Sequence, residues 1–253
     1  MDVKEVLDIA MLSGEILLTN GSETYRVEET IERICSAYDI ESECFVVPTG
    51  IFLSGCSKND TKDSISLVKR IKERTINLHK IKMINSFSRS LKDRRISYDE
   101  AMKFLKGLDS APSFPYYKSL LAAGVTSFAY AMLFGSSAIN GIVAAFISIL
   151  IYYAEDKITV INLLPFFSEF IWSFITGILA VFINKYILPI NIDSVIIGSI
   201  IVLFPGIAIT NGIRDALYGD ILSSQVRLAE ALYTVTAIGA GVGISLLLMK
   251  YWM

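Results

Sequence analysis

The chain has 253 residues, of which 53% are hydrophobic and 19% charged, and a mean hydropathy of +0.53, too apolar for an ordinary soluble enzyme of this length. Its charges are unevenly spread: residues 1–118 hold 18 Lys/Arg and 18 Asp/Glu, residues 119–253 only 5 and 7, so two different solvents are implied. A net charge of -2 supplies no excess of cations for neutralising phosphates, which excludes a nucleic-acid partner.

The opening stretch, MDVKEVLDIAMLSGEILL, mixes acids among its apolar residues and has no basic n-region, so no cleaved signal peptide is expected. Residues 4–18 place Val6, Leu7, Ala10, Met11, Gly14, Leu17 and Leu18 at three- and four-residue intervals, which predicts an amphipathic helix stopped by Asn20-Gly21. Ser22 or Thr24 then stands near the start of a second helix, with Val27, Ile31, Ile34 and Tyr38 on one face. The segment 43–56 turns to β-branched and aromatic residues interrupted by Pro48, Thr49 and Gly50, which reads as two short strands around a turn, and a third strand is expected over Ser64–Ile71. Helical spacing returns over 76–91, and Ser97 followed by Glu100 matches a capping box at the head of another helix. This front part, residues 1–112, is predicted as a soluble α+β domain.

Cys35, Cys44 and Cys56 have no CxxC spacing, and the lone His79 has no metal-ligand company, so the cysteines read as small buried apolar residues and neither a metal nor a disulfide framework is expected. Phosphate-loop, nucleophile-elbow, zinc-protease and dinucleotide patterns are all missing, which argues against an enzyme and against a cofactor.

From residue 113 the pattern changes. Ala111, Pro112, Phe114 and Pro115 interrupt helical periodicity, and residues 119–154 carry no Asp, Glu, Lys or Arg. That stretch is long enough to cross a hydrocarbon core nearly twice and is divided by Gly135-Ser136-Ser137. Further apolar runs cover 163–183, 192–209 and 232–248, so residues 113–253 are predicted as an all-α membrane domain of five transmembrane helices. The front domain is expected in the cytoplasm and the chain in the inner membrane, which with five crossings places Met253 outside. Trp172, Tyr186, Tyr233, Tyr251 and Trp252 read as interfacial anchors, and Pro165 and Pro189 as helix-end punctuation.

Polar residues in the membrane part are few and costly, so each is informative. Glu169 lies inside an apolar run, as a proton acceptor, as the partner of a helix-facing cation, or as an ordinary glutamate at an interfacial helix end. The densest group is FPGIAITNGIRDALYGD, residues 204–220. Pro205-Gly206 breaks the helix, and Thr210, Asn211, Arg214, Asp215 and Asp220 follow with both charge signs, an arrangement suited to a zwitterionic or carboxylate solute. A simple proline kink before a cytoplasmic loop is the alternative. The small residues Ala237, Gly239, Ala240, Gly241 and Gly243 suit close helix packing.

TNGSETYRVEETIERI near the N-terminus, the segments NLHKIKMINSFSRSL and SYDEAMKFL, and PGIAITNGIRDALYGDILSSQVRLAEAL together resemble the threonine/serine exporter family, in the size of the larger subunit of its split two-component form. The resemblance implies a cytoplasmic domain before a five-helix membrane unit, with a second such unit either fused or supplied by a small companion protein; because secondary transporters commonly use paired repeats, self-association is the other way to complete the cavity. It implies secondary, gradient-coupled export of a small amino acid such as threonine or serine, or of a dicarboxylate such as succinate. Pro205, Gly206, Thr210, Asn211, Arg214, Asp215, Gly219, Asp220 and Arg227 carry over as motif positions; their chemistry suits binding or gating, and Glu169 and Asp215, as acids in or beside the apolar part, are candidates for proton coupling. The competing expectation is a membrane scaffold or regulatory subunit whose partner forms the solute pathway.

Overall fold

The computed structural model describes residues 1–58, 60–112, 114–135, 137–157 and 166–252, without the side chains of 60–63 and 250–252. Ser136, Pro165 and the anchors Tyr251 and Trp252 therefore lie outside the described residues or their side chains. The chain forms two compact units, one of Met1–Ser113 with Ile207–Ala229, the other of Phe114–Gly206 with Glu230–Met253.

In the first unit, α1 (Val3–Thr19) is started by a capping box in which Asp2 and Glu5 bond each other's backbone, and α2 (Thr24–Ala37) follows after four residues. β1 (Ile40–Val47), β2 (Gly50–Ser57) and β3 (Asp60–Arg70) form an antiparallel sheet in that order, with Phe45 opposite Phe52 and Phe52 opposite Val68. Val46, Ile51 and Leu53 enter the core that α1 and α2 fill with Leu7, Ile9, Ile16, Leu17, Ile31 and Ile34. Helices α3 (Leu78–Asp93) and α4 (Tyr98–Ser110) add Ile84, Leu91, Ala101 and Leu105 to the same core. Ser97 and Glu100 form the predicted capping box. Of the three cysteines only Cys35 is fully buried, and burial pushes its thiol up to about 11; Cys44 and Cys56 are half-buried.

The second unit is helical: α5 (Tyr116–Leu133), α6 (Ala138–Lys157), α7 (Phe167–Tyr186), α8 (Ile192–Ile200) with a 3-10 turn at Ile201–Leu203, and the later part of α10 (Ile221–Trp252). Among the described residues three helices are long and apolar enough to cross a membrane: Ala138–Lys157, Phe167–Tyr186 and Ile221–Met249. A fourth is reached only by joining Ile192–Leu203 to α9 (Gly206–Leu217) across their bend. The chain is thus a multi-pass membrane protein, but the described residues hold three or four such spans in place of the expected five, and the side assigned to Met253 loses its premise.

The reasons are local. Helix α5 opens with Tyr116, Tyr117 and Lys118, leaving 15 residues and about 22 Å of rise against a hydrocarbon core of about 30 Å. The run at 192–209 is broken because Pro205 has no N–H to continue the helix.

The core of this unit gathers Ala131, Val143, Ala144, Ile147, Ile151, Trp172, Ala180, Ile183, Val195 and Ile196. Trp172, expected at the interface, is 3% exposed and belongs to that core, whereas Tyr186 and Tyr233 are exposed. Close backbone approach replaces side-chain bulk at two helix contacts. A Cβ on Gly241 of α10 would stand 2.4 Å from the Phe170 carbonyl of α7, and one on Gly198 of α8 would stand 2.8 Å from the Ser127 carbonyl of α5.

Candidate functional site

The polar motif of 204–220 and the N-terminal run TNGSET, nearly 200 residues apart in sequence, meet inside the first unit. Two helix ends set up the meeting. Helix α1 finishes in a Schellman turn: Gly21 has φ +90°, its N–H donates to the Leu18 carbonyl, and the Ser22 N–H donates to Leu17. Helix α9 finishes the same way, with Gly219 at φ +90°, its N–H on Ala216 and the Asp220 N–H on Asp215. Only glycine adopts this left-handed turn without strain, which is why both corners carry one.

Each corner leaves backbone groups that need partners. The Gly21 carbonyl accepts from Asn211 Nδ2 at 2.9 Å, and the Ser22 carbonyl accepts from the Arg227 guanidinium at 2.8 Å. At the start of α2, Glu23 occupies the cap position but makes no cap of its own. The Thr24 N–H donates instead to Asp215 Oδ1 at 3.2 Å, and the Thr24 hydroxyl donates to Asp220 Oδ2 at 2.6 Å. Two carboxylates, from α9 and from the turn that follows it, thus face the positive end of the α2 dipole. Asp220 also accepts from the Ser223 N–H at 3.2 Å, starting α10.

Charges close the arrangement. Arg227 Nε pairs with Asp215 Oδ2 at 2.9 Å, with side chains 7% and 0% exposed, and a buried pair of this kind persists because each charge compensates the other. Arg214 pairs with the buried Glu23 at 2.5 Å while its own side chain stays 49% exposed, and Arg26 approaches Glu23 at 3.6 Å. The Tyr25 and Tyr218 rings stack at 3.9 Å over the outer side. One turn along α2, Glu28 accepts from the Val46 N–H at 2.8 Å, and burial pushes its carboxyl above the usual range. Gly212 sits where a Cβ would meet Leu228 at 2.9 Å, so α9 packs tightly on α10.

Of the residues singled out in sequence, Asn211, Arg214, Asp215, Asp220 and Arg227 come together here. Thr210 is exposed, and Pro205 and Gly206 mark the break before α9 without joining the cluster. Gly21, Ser22, Glu23 and Thr24 do join it, although the sequence predicts no role for them at the site beyond their place in the N-terminal motif. The Asn-Gly-x-Glu-Thr run is their only signal, and nothing in it names a partner 190 residues away. The carboxylates and cations of the cluster are bonded to one another or to the backbone and hydroxyl groups of the two corners, so the arrangement clasps two corners of the chain. Among the described residues, no three His, Cys, Asp or Glu are grouped to hold a metal ion.

Glu169 lies in the second unit, in the first turn of α7, where the helix dipole favours a carboxylate. One of its oxygens is buried with no hydrogen-bond partner among the described residues.

A family described as "Putative threonine/serine exporter" matches residues 8–249. A protein named "Probable threonine/serine exporter" from Mycobacterium tuberculosis (strain ATCC 25618 / H37Rv) is 25% identical over 97% of this chain and 46% of its own length. The "Threonine/serine exporter" of Corynebacterium glutamicum is 22% identical over 98% of this chain and 52% of its own. The chain spans about half the length of these curated relatives. No solved structure matches.

Proposed function

Because the chain belongs to the threonine/serine exporter family, we propose that it is a transporter unit exporting a small carboxylate-bearing solute, with the Arg214–Glu23 pair as the contact the solute exchanges with. It is a membrane protein of an exporter family and not an enzyme. The observation that carries the reading is the asymmetry of that pair: the glutamate is buried and the arginine half exposed. A solute carboxylate arriving from water reaches the guanidinium and can take the place of Glu23, whose own charge then needs Arg26.

Release of the clasp is the proposed coupling. Protonation of Asp215 removes one charge of the buried pair with Arg227 and weakens the hold of α9 and α10 on the α1–α2 corner, so an inward proton can drive the change of state. Glu169, with its buried oxygen, is the second coupling candidate. The front domain is placed in the cytoplasm, and a second membrane unit, from a companion protein or a second copy, completes the pathway. Serine and threonine are the first solutes to test, and succinate the dicarboxylate alternative.

The experiment is flux under an imposed pH gradient in proteoliposomes that hold this polypeptide together with the second membrane unit. Arg214→Ala is expected to abolish saturable transport in protein that remains folded. Glu23→Gln, which removes the internal competitor, is expected to lower KM for the solute. If Glu23→Gln leaves KM unchanged while both substitutions lower the maximal rate alike, the pair is a clasp only, and the scaffold reading takes precedence.

A further inference from the structure

The first unit is nearly neutral as a whole but strongly polarised along the chain. Residues 1–49 hold 3 Lys/Arg against 11 Asp/Glu, and residues 58–110 hold 14 against 7. The cationic part includes the stretch that leaves β3 and enters the first turns of α3, in which Lys72, Glu73, Arg74, Ile76, Leu78 and Lys82 are all exposed, three cations and two aliphatic residues against one acid. Ile76 is 57% exposed and Leu78 67%.

These aliphatic side chains are not outward by looseness of the chain. The Thr75 N–H donates to the Thr19 carbonyl at 2.7 Å and the Asn77 N–H to the Asn20 carbonyl at 3.1 Å, pinning the backbone on both sides of Ile76. Asn77 is buried, and its side chain accepts from the Lys80 N–H to start α3, so Leu78 and Lys82 stand one turn apart on the same exposed face. Lys80 Nζ donates to the Asp109 carbonyl at 2.6 Å, tying this stretch to the end of α4, seven residues before the apolar helices begin at Tyr116. A pinned backbone thus presents two large aliphatic side chains to water with cations on either side.

We propose that this stretch is a membrane-surface contact that seats Ile76 and Leu78 among the headgroups of an anionic leaflet, with Lys72 and Lys82 at the lipid phosphates. Aliphatic residues flanked by long cationic side chains are the composition of an interfacial segment: the apolar groups enter the headgroup boundary while the ammonium groups remain at the charged layer. The sign of the charge selects an anionic leaflet over a zwitterionic one. The inference rests on membrane embedding and not on the transport reading, so either can fail alone.

The test is amine footprinting by mass spectrometry of the whole chain in nanodiscs of phosphatidylcholine, with and without phosphatidylglycerol. Labelling of Lys72 and Lys82 is expected to fall at least about threefold in the anionic discs, with Lys4 and Lys58 unchanged as internal references. The double variant Ile76→Ser, Leu78→Ser keeps every cation and should lose most of that protection, its fold being checked by circular dichroism. Equal labelling in both discs overturns the proposal. So does protection that survives the double substitution, or protection that appears only when a second protein is added.

Discussion

Asp215 and Arg227 show how much a single pair of residues can organise. Asp215 spends one oxygen on the Thr24 N–H and the other on Arg227, while Arg227 also satisfies the Ser22 carbonyl. Removing one partner leaves the other charged and buried, so Asp215→Ala is expected to destabilise the protein by about 3–5 kcal/mol. Replacing the pair together, Asp215→Leu with Arg227→Met, removes both charges and should recover most of that loss, as measured by thermal unfolding in detergent. Equal losses for the single and double variants would show that the hydrogen bonds to the α1–α2 corner, and not the buried charge, set the cost. In sequence both residues are recognisable as unusual, because ionisable groups are scarce after residue 118. Their partners are not, because a carbonyl at Ser22 or an N–H at Thr24 leaves no mark in the amino-acid code.

At the scale of elements, signals that act locally are legible in the sequence. The Ser97 capping box, the turn at Pro48-Thr49-Gly50 and the helical spacing of α1 to α4 each depend on residues within a few positions. Hydropathy alone overcounts the spans, since α5 begins with Tyr116, Tyr117 and Lys118 and α8 is only nine residues long. Small residues in α10 are legible as a packing feature, but not which of them touch a neighbour. Gly241 stands against the Phe170 carbonyl of α7, whereas a Cβ added at Gly239 or Gly243 would meet no atom of another element within 4 Å among the described residues. Gly241→Ala is therefore expected to lower thermal stability by about 1–3 kcal/mol through overpacking against backbone, and Gly239→Ala to leave it unchanged or slightly raised. Comparable melting of the two variants would remove the close α7–α10 approach as a source of stability.

For the whole molecule, the proposed second membrane unit makes a definite expectation. If a second membrane unit completes the pathway, proteoliposomes with this polypeptide alone should show no saturable serine, threonine or succinate flux, and addition of the companion should restore it. Full flux from this polypeptide alone would refute the requirement. The sequence by itself determined that there are two solvents for one chain, that an α+β part precedes apolar helices, and that polar residues cluster at 204–220, because composition, periodicity and caps are local properties. The tertiary structure decided that this cluster returns to the first unit, where it closes the α1–α2 corner. It also decided that Trp172 is core and that Ile76 and Leu78 face outward. Those outcomes depend on which buried backbone groups and charges find partners, and such partners come from segments far apart in the chain.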